Sequence, residues 1–250
     1  MRHLWLGLVL TALVTLSLPC AVSAFSLDVE AKAAGGLALG STTNPDESGS
    51  PRAGALGGVG IDMYLLTVGP VDLGLSVGAE YDYLTFHGVL NNYLSGAGFG
   101  PGITQTSDSI YNYLDFPVSI VGRFPLSPSV SVTLRAGAFI GHFLGGSSTL
   151  SYTNNGAPAL VYEGFLLSPA NVTSQTLNSS TTLVGEYGLH FTGGVDIAIS
   201  KTLLLAPALQ FDVGLTNTSA VNPATGTGAY PYSDTFWTLT AAIGIKYKVF

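Results

Sequence analysis

Charge is what this sequence has least of. Only 9% of its 250 residues are Asp, Glu, Lys or Arg, against about 25% in ordinary soluble domains. A water-facing surface is built largely from those residues, so the chain cannot coat a body of this size for water. Cysteine is almost absent as well. The single Cys20 excludes an intrachain disulfide framework. Basic residues are few, eight Lys and Arg against 15 Asp and Glu, which excludes nucleic acid as a partner. Beyond the N-terminus there is no apolar run approaching the ~20 residues a membrane helix needs. Yet 47% of the residues are hydrophobic, 32 are Gly, and the mean hydropathy is +0.44. Strands with lipid as their outer solvent reconcile these facts.

The chain opens MRHLWLGLVLTALVTLSLPCAVSA. A basic start (Arg2, His3), an apolar run (Leu4–Leu18) and small residues at Val22-Ser23-Ala24 form a secretory signal peptide. The run is short for a spanning helix, and Pro19 before Cys20 is a poor lipidation context. Residues 1–24 are expected to be removed, leaving 25–250 as one exported domain without cysteine.

Within that domain apolar and polar residues alternate. In VDLGLSVGAEYDYLTF (71–86), Val71, Leu73, Leu75, Val77 and Ala79 interleave with Asp72, Gly74, Ser76, Gly78 and Glu80. A period of two is a strand with two unlike faces. Equivalent patterns predict strands near 26–38, 54–66, 112–124, 129–143, 186–199, 202–215 and 236–249, eight in all. Tight turns (Gly69-Pro70, Pro125–Pro128, Ser200-Lys201) alternate with long polar segments near 39–53, 87–109, 145–185 and 216–234. Short turns at one end and long loops at the other are the pattern of a transmembrane barrel. An all-β fold follows: an eight-stranded antiparallel up-and-down barrel, four long extracellular loops, three short periplasmic turns, and both termini periplasmic. Closure of the first strand on the last leaves no edge. Tyr81, Tyr83, Tyr187 and Trp237 fall near the loop ends, Phe124 and Tyr247 near the turn ends, as two interfacial belts would.

Several stretches resemble the bacterial outer-membrane β-barrel domain family, the small barrels of OmpA, OmpX and OmpW type. They are YLDFPVSIVGRF (113–124), VTLRAGAFIG (132–141), HFTGGVDIAI (190–199), LLLAPALQFDVGLTN (203–217) and the closing AAIGIKYKVF. The resemblance implies outer-membrane lipid and the outer-membrane assembly machinery as partners, with Phe250 as the assembly signal. Phe250 shares parity with Lys246 and Lys248 rather than Tyr247, so a strand ending at Val249, or a bulge, is needed to place it.

The polar faces collect Asp28, Glu30, Lys32, Asp62, Asp72, Glu80, Asp82, Asp115, Arg123, Arg135, Asp196, Asp212, Lys246 and Lys248. An eight-stranded barrel is just wide enough for side chains to fill, so these form an interior charge network. Lys246 and Lys248 are expected to pair with Asp28 and Glu30 across the closure. Glu80 and Asp82 with nearby His87 have the residue types of a metal site, and His142 and His190 those of hydrolytic groups. None stands in a nucleophile or ligand motif, so neither an enzyme nor a cofactor or metal is expected. Pro207, and more weakly Pro117, sit inside strands where a ladder hydrogen bond is lost, which makes Pro207 a candidate wall seam. The functional expectation is a monomeric, non-enzymatic surface barrel whose loops meet an extracellular ligand or host surface. The alternative is a narrow channel for small molecules, hydrophobic ones among them. Intact-mass analysis of the exported protein should show a chain starting at Phe25; a retained Cys20 or an added lipid mass would overturn the cleavage site.

Overall fold

The structure is a computed structural model that describes residues 25–42, 47–91, 103–154, 160–162, 165–167, 170–177, 186–215 and 234–249. The signal segment, Phe250 and much of the long loops lie outside the described residues. The strands are β1 (Ser26–Thr42), β2 (Glu47–Ser50), β3 (Arg52–Val68), β4 (Val71–Leu90), β5 (Ile103–Ser127), β6 (Val130–Asn154), β7 (Leu160–Tyr162), β8 (Phe165–Leu167), β9 (Ala170–Leu177), β10 (Glu186–Ala198), β11 (Leu203–Gly214) and β12 (Asp234–Lys248).

Eight of them close a ring. β1, β3, β4, β5, β6, β10, β11 and β12 pair in that order, and β12 pairs back onto β1, every contact antiparallel. The closing ladder runs from Asp28↔Lys248 to Thr42↔Asp234. Its length matters because lipid cannot satisfy an open backbone edge.

The ring is inside-out. Val118, Ile120 and Ile140 point outward and are 56%, 66% and 68% exposed. Asp28, Asp62, Gln210 and Lys246 point inward and are almost wholly buried. This polarity suits lipid outside and a packed polar filling inside. Crowding at the inner wall explains some of the glycine. A Cβ at Gly74 would collide with the Met63 carbonyl, beside a register shift between Tyr64 and Leu66, and one at Gly137 would collide with the Val118 carbonyl. Gly69, at φ 59°, makes the β3–β4 turn, a conformation that costs glycine little.

Three long segments are shorter than the sequence pattern implied. β5 and β6 each run 25 residues, where about 9–11 suffice to cross a bilayer. Their upper halves pair with each other from Ile103↔Asn154 downward. β9 adds to β6 at Gly146–Thr153, and β2 adds to β4 at His87–Leu90. The predicted loops 39–53, 87–109 and 145–185 are therefore partly strand. Above the apolar belt the outward residues meet water and buried inward ones such as Ser109 and Ser148 are polar as well, so the apolar alternation that marks a strand is lost. At the other end, β5 continues through the predicted turn to Ser127, with an irregularity at Pro125.

The polarity can be tested on two neighbouring residues. Val118→Arg places a charge on the lipid side near mid-wall and should cost roughly 2–4 kcal/mol. Ser119→Ala, facing inward, should change stability by less than about 0.5 kcal/mol. Urea titration of folding into lipid vesicles reads both. Equal tolerance at the two positions would reverse the inside-out assignment.

Candidate functional site

The interior is stacked in layers from the short-turn end upward. In the first, Arg123 donates from Nε and Nη2 to Asp72 Oδ2 (3.1 and 2.9 Å) and from Nη1 to Asp28 Oδ2 (3.1 Å). Its guanidinium lies 4.0 Å from the Tyr64 ring centroid, an added cation–π contact.

In the second layer Arg135 donates from Nε and Nη2 to Asp62 (3.0 and 2.6 Å) and from Nη2 to Glu30 (2.5 Å). Lys246 reaches Asp196 (2.9 Å) and Asp62 (3.4 Å), and Thr133 Oγ1 donates to Asp196 at 2.5 Å. This corrects the expected pairing of Lys246 and Lys248 with Asp28 and Glu30. At ion-pair distance Asp28 and Glu30 are held by Arg123 and Arg135 instead, while the Lys246 and Lys248 charges act on Asp28 from further off. Strand neighbours at the closure stand side by side on a curved wall, and the long Lys246 chain extends across the lumen to acids on β3 and β10. Lys248 forms no ion pair with any described residue.

The third layer centres on Gln210. Lys32 bridges Glu80 (2.6 Å) and Gln210 Oε1 (2.6 Å). Gln210 Nε2 donates to Glu80 (2.9 Å) and Asp212 (2.8 Å). His190 Nδ1 is 2.6 Å from Asp212 Oδ1, and Thr192 Oγ1 is 3.0 Å from His190 Nε2. Acid, imidazole and hydroxyl are thus connected in the order of a nucleophile triad. The cavity that His190 helps line measures about 20 Å³, room for one water, and gives the group no space for a substrate. Ser119 lines the same cavity, and its hydroxyl has no partner among the described residues.

The fourth layer is acidic. Asp115 and Glu186 both lie across from Gly141, where a Cβ would collide with Asp115 Oδ1 and stand 3.0 Å from Glu186 Cγ. Asp82 is diagonal to Asp115 on the adjoining strand. Among the described residues no cation comes within ion-pair distance of these three, and each leaves one oxygen unpartnered. His87 does not join Glu80 and Asp82; its Nδ1 is 2.7 Å from Asp108 at the loop end. His142 is exposed on the outer face.

Above the acids an aromatic cap fills the lumen. Tyr113, Phe143, Phe86 and Phe236 pack with Ala38, Leu84 and Tyr111. Phe86 stacks on Phe236 at 4.3 Å between centroids, and Tyr113 meets Phe143 at 5.3 Å. The sequence reading missed this cap, and it missed Glu186. The signal was parity: the inward series Glu80, Asp82 continues through Leu84 to Phe86.

Both prolines interrupt the wall. In the β10–β11 ladder, pairing stops at Gly194↔Ala208 and resumes at Ile197↔Leu205 in the same register. Pro207 sits in this gap, while its pairing with β12 at Ile243 is kept. In the β4–β5 ladder, pairing stops at Val77↔Val118 and resumes at Glu80↔Asp115, with Pro117 in the gap. A missing N–H accounts for both. Pro207 turns outward. Pro117 turns inward and lines the small cavity.

Two substitutions should separate paired from unpaired charge. Arg135→Ala leaves Glu30 without its donor and Asp62 with only Lys246 at 3.4 Å, and should cost roughly 3–5 kcal/mol. Asp115→Asn removes one of three mutually repelling groups and should leave stability unchanged or raise it. Urea midpoints in vesicles give the comparison; a large loss from Asp115→Asn would mean that the acidic layer contributes to stability.

No protein-family model matches the chain, and no curated protein matches it. Solved structures of similar fold include Neisserial surface protein A, at 13% identity and TM-score 0.38, covering 90% of this chain and 99% of that one. OprG from Pseudomonas aeruginosa is similar at 10% identity and TM-score 0.40, covering 89% and 95%. Ail of Yersinia pestis is similar at 9% identity and TM-score 0.32, covering 88% and 97%. Such low likeness carries no function. Eight closed strands with an apolar exterior and a charged, filled interior are this chain's own evidence, and they give it the fold of the small outer-membrane β-barrels.

Proposed function

We propose that residues 25–250 form a non-enzymatic, monomeric outer-membrane protein that works through the strands and loops standing above its barrel. The single observation that carries this is the filled lumen. Ion-paired layers, an acidic layer and an aromatic cap occupy it in turn, which leaves the outer surface as the working part. The short turns and both termini are then periplasmic, and the extended β4–β5–β6 wall with β2 and β9 is extracellular. It faces a ligand or host surface there, as binding surfaces on rigid scaffolds commonly do. Folding relies on the assembly machinery and the Phe250 signal.

A second reading has its own observation. The gaps at Pro207 and Pro117 weaken two places in the wall, and the one at Pro117 adjoins the small interior cavity. A small apolar molecule could leave sideways into lipid there without any ionic current.

Planar-bilayer recording of the refolded protein distinguishes the readings in part. Steady ionic conductance is not expected, and its appearance would overturn the filled-lumen proposal. Uptake of a small hydrophobic dye by expressing cells is the second measurement. Uptake that falls in Pro207→Val or Pro117→Val would favour lateral passage over the surface role.

A further inference from the structure

The layered network uses every inward-facing cation of the described residues except one. Lys248 has the inward parity of Lys246 and is partly buried, yet its ammonium has neither a hydrogen bond nor an ion pair among the described residues. Its strand neighbour Asp28 is bound to Arg123 through Oδ2 alone, and the Lys248 charge acts on that carboxylate without forming a hydrogen bond or close ion pair. Beside Lys248, at the short-turn end, lies a cavity of about 150 Å³ that Arg123, Ser127, Ser129, Ser131 and Asp196 also line. That is several times the ~10–15 Å³ one water needs.

The lining favours an anion. Asp196 is its only acid, and that carboxylate is engaged by Lys246 and Thr133. Of the two Nη1 hydrogens of Arg123, one goes to Asp28 and the other has no acceptor among the described residues. The Ser131 hydroxyl likewise makes no hydrogen bond among the described residues. Three residues that line this space therefore carry donors without a hydrogen-bond acceptor among the described residues: the Lys248 ammonium, one guanidinium N–H of Arg123 and the Ser131 hydroxyl. Tetrahedral oxyanions take donors of these kinds.

We propose that this cavity binds a phosphate group, with Lys248 as its charge partner and Arg123 and Ser131 as further donors. The phosphate belongs either to a phospholipid headgroup at the membrane rim or to a free phosphate ion entering the mouth. The site is separate from the extracellular surface proposed above and stands whether or not that surface has a ligand.

The test uses the 25–250 protein folded in maltoside micelles, which contain no phosphate. Inorganic phosphate is titrated while its phosphorus NMR line width is followed. Retention of short-chain phosphatidylglycerol, against the matching diacylglycerol, is followed by native mass spectrometry. Wild type should broaden the phosphate line, retain the phospholipid in preference to the diacylglycerol, or do both. Phospholipid retention alone would identify the headgroup as the source, and broadening would show that free phosphate also enters. Lys248→Gln should weaken binding by about tenfold or more, the loss of one charge-assisted hydrogen bond. Lys248→Arg and the exposed turn variant Lys201→Gln should keep it. Heat-modifiable electrophoretic mobility confirms that each variant is folded, and Ser131→Ala gives a second, milder loss should Lys248→Gln fail to fold. Absence of both signals in wild type, equal binding by folded Lys248→Gln, or an equal loss in Lys201→Gln would overturn the site.

Discussion

The whole structure depends on one constraint: a strand that crosses lipid must give every backbone N–H and C=O a partner within the protein. The pairing of β1 with β12 meets it, with fifteen consecutive residue pairs from Asp28↔Lys248 to Thr42↔Asp234. Once the ring is closed, its two faces no longer share a solvent. The outer face must be apolar, and Val118, Ile120 and Ile140 show that it is. The inner face of an eight-strand ring is too narrow for bulk water. Any charge placed there must find its partner among side chains.

That second requirement explains the layering. Three cations of the lower and middle lumen each serve more than one acceptor: Arg123 holds Asp28 and Asp72, Arg135 holds Asp62 and Glu30, and Lys246 holds Asp62 and Asp196. Sharing joins β1, β3, β4, β5, β6, β10 and β12 through their side chains as well as through their backbones. A buried pair gains little over an apolar filling, but removing one partner is costly. The network therefore acts mainly to fix which strand stands opposite which. The acidic layer of Asp82, Asp115 and Glu186 lacks such sharing and sits directly beneath the aromatic cap. Apolar packing of Phe86, Tyr113, Phe143 and Phe236 closes the lumen above it.

How much of this was legible in the sequence follows from what a period of two can encode. Parity assigned Asp28, Asp62, Asp196 and Lys246 to the interior and Leu75, Val118 and Ile140 to the exterior, because neighbouring residues on a strand must face opposite ways. Parity does not encode distance across the lumen. Lys246 therefore looked like a partner for Asp28 and Glu30, its neighbours across the closing ladder, when its acids stand on β3 and β10. It also fails where both faces are polar, as at the buried Ser109–Ser148 pair, so the upper halves of β5 and β6 read as loop. The aromatic cap escaped for a related reason. Phe86 and Phe143 are inward by parity, but a search for polar faces passes over an apolar residue on the polar side.

Pro117 and Pro207 show how much local disorder of the ladder a closed ring tolerates. Each removes pairing at two consecutive positions of one ladder while its other ladder and the register beyond the gap are kept. An open sheet would have a free edge along which a weakened strand could slip. Here the ring is continuous on both sides of each gap, and a slip of one residue would turn every charged side chain of that strand toward lipid. The interior network thus holds the register that the prolines weaken. Asp196 lies in the Pro207 gap itself, without a ladder partner on β11, yet Lys246 and Thr133 bind its carboxylate from β12 and β6. A side-chain bond across the lumen replaces the backbone bond missing from the wall, and it leaves that part of the wall bonded from within rather than along its edge.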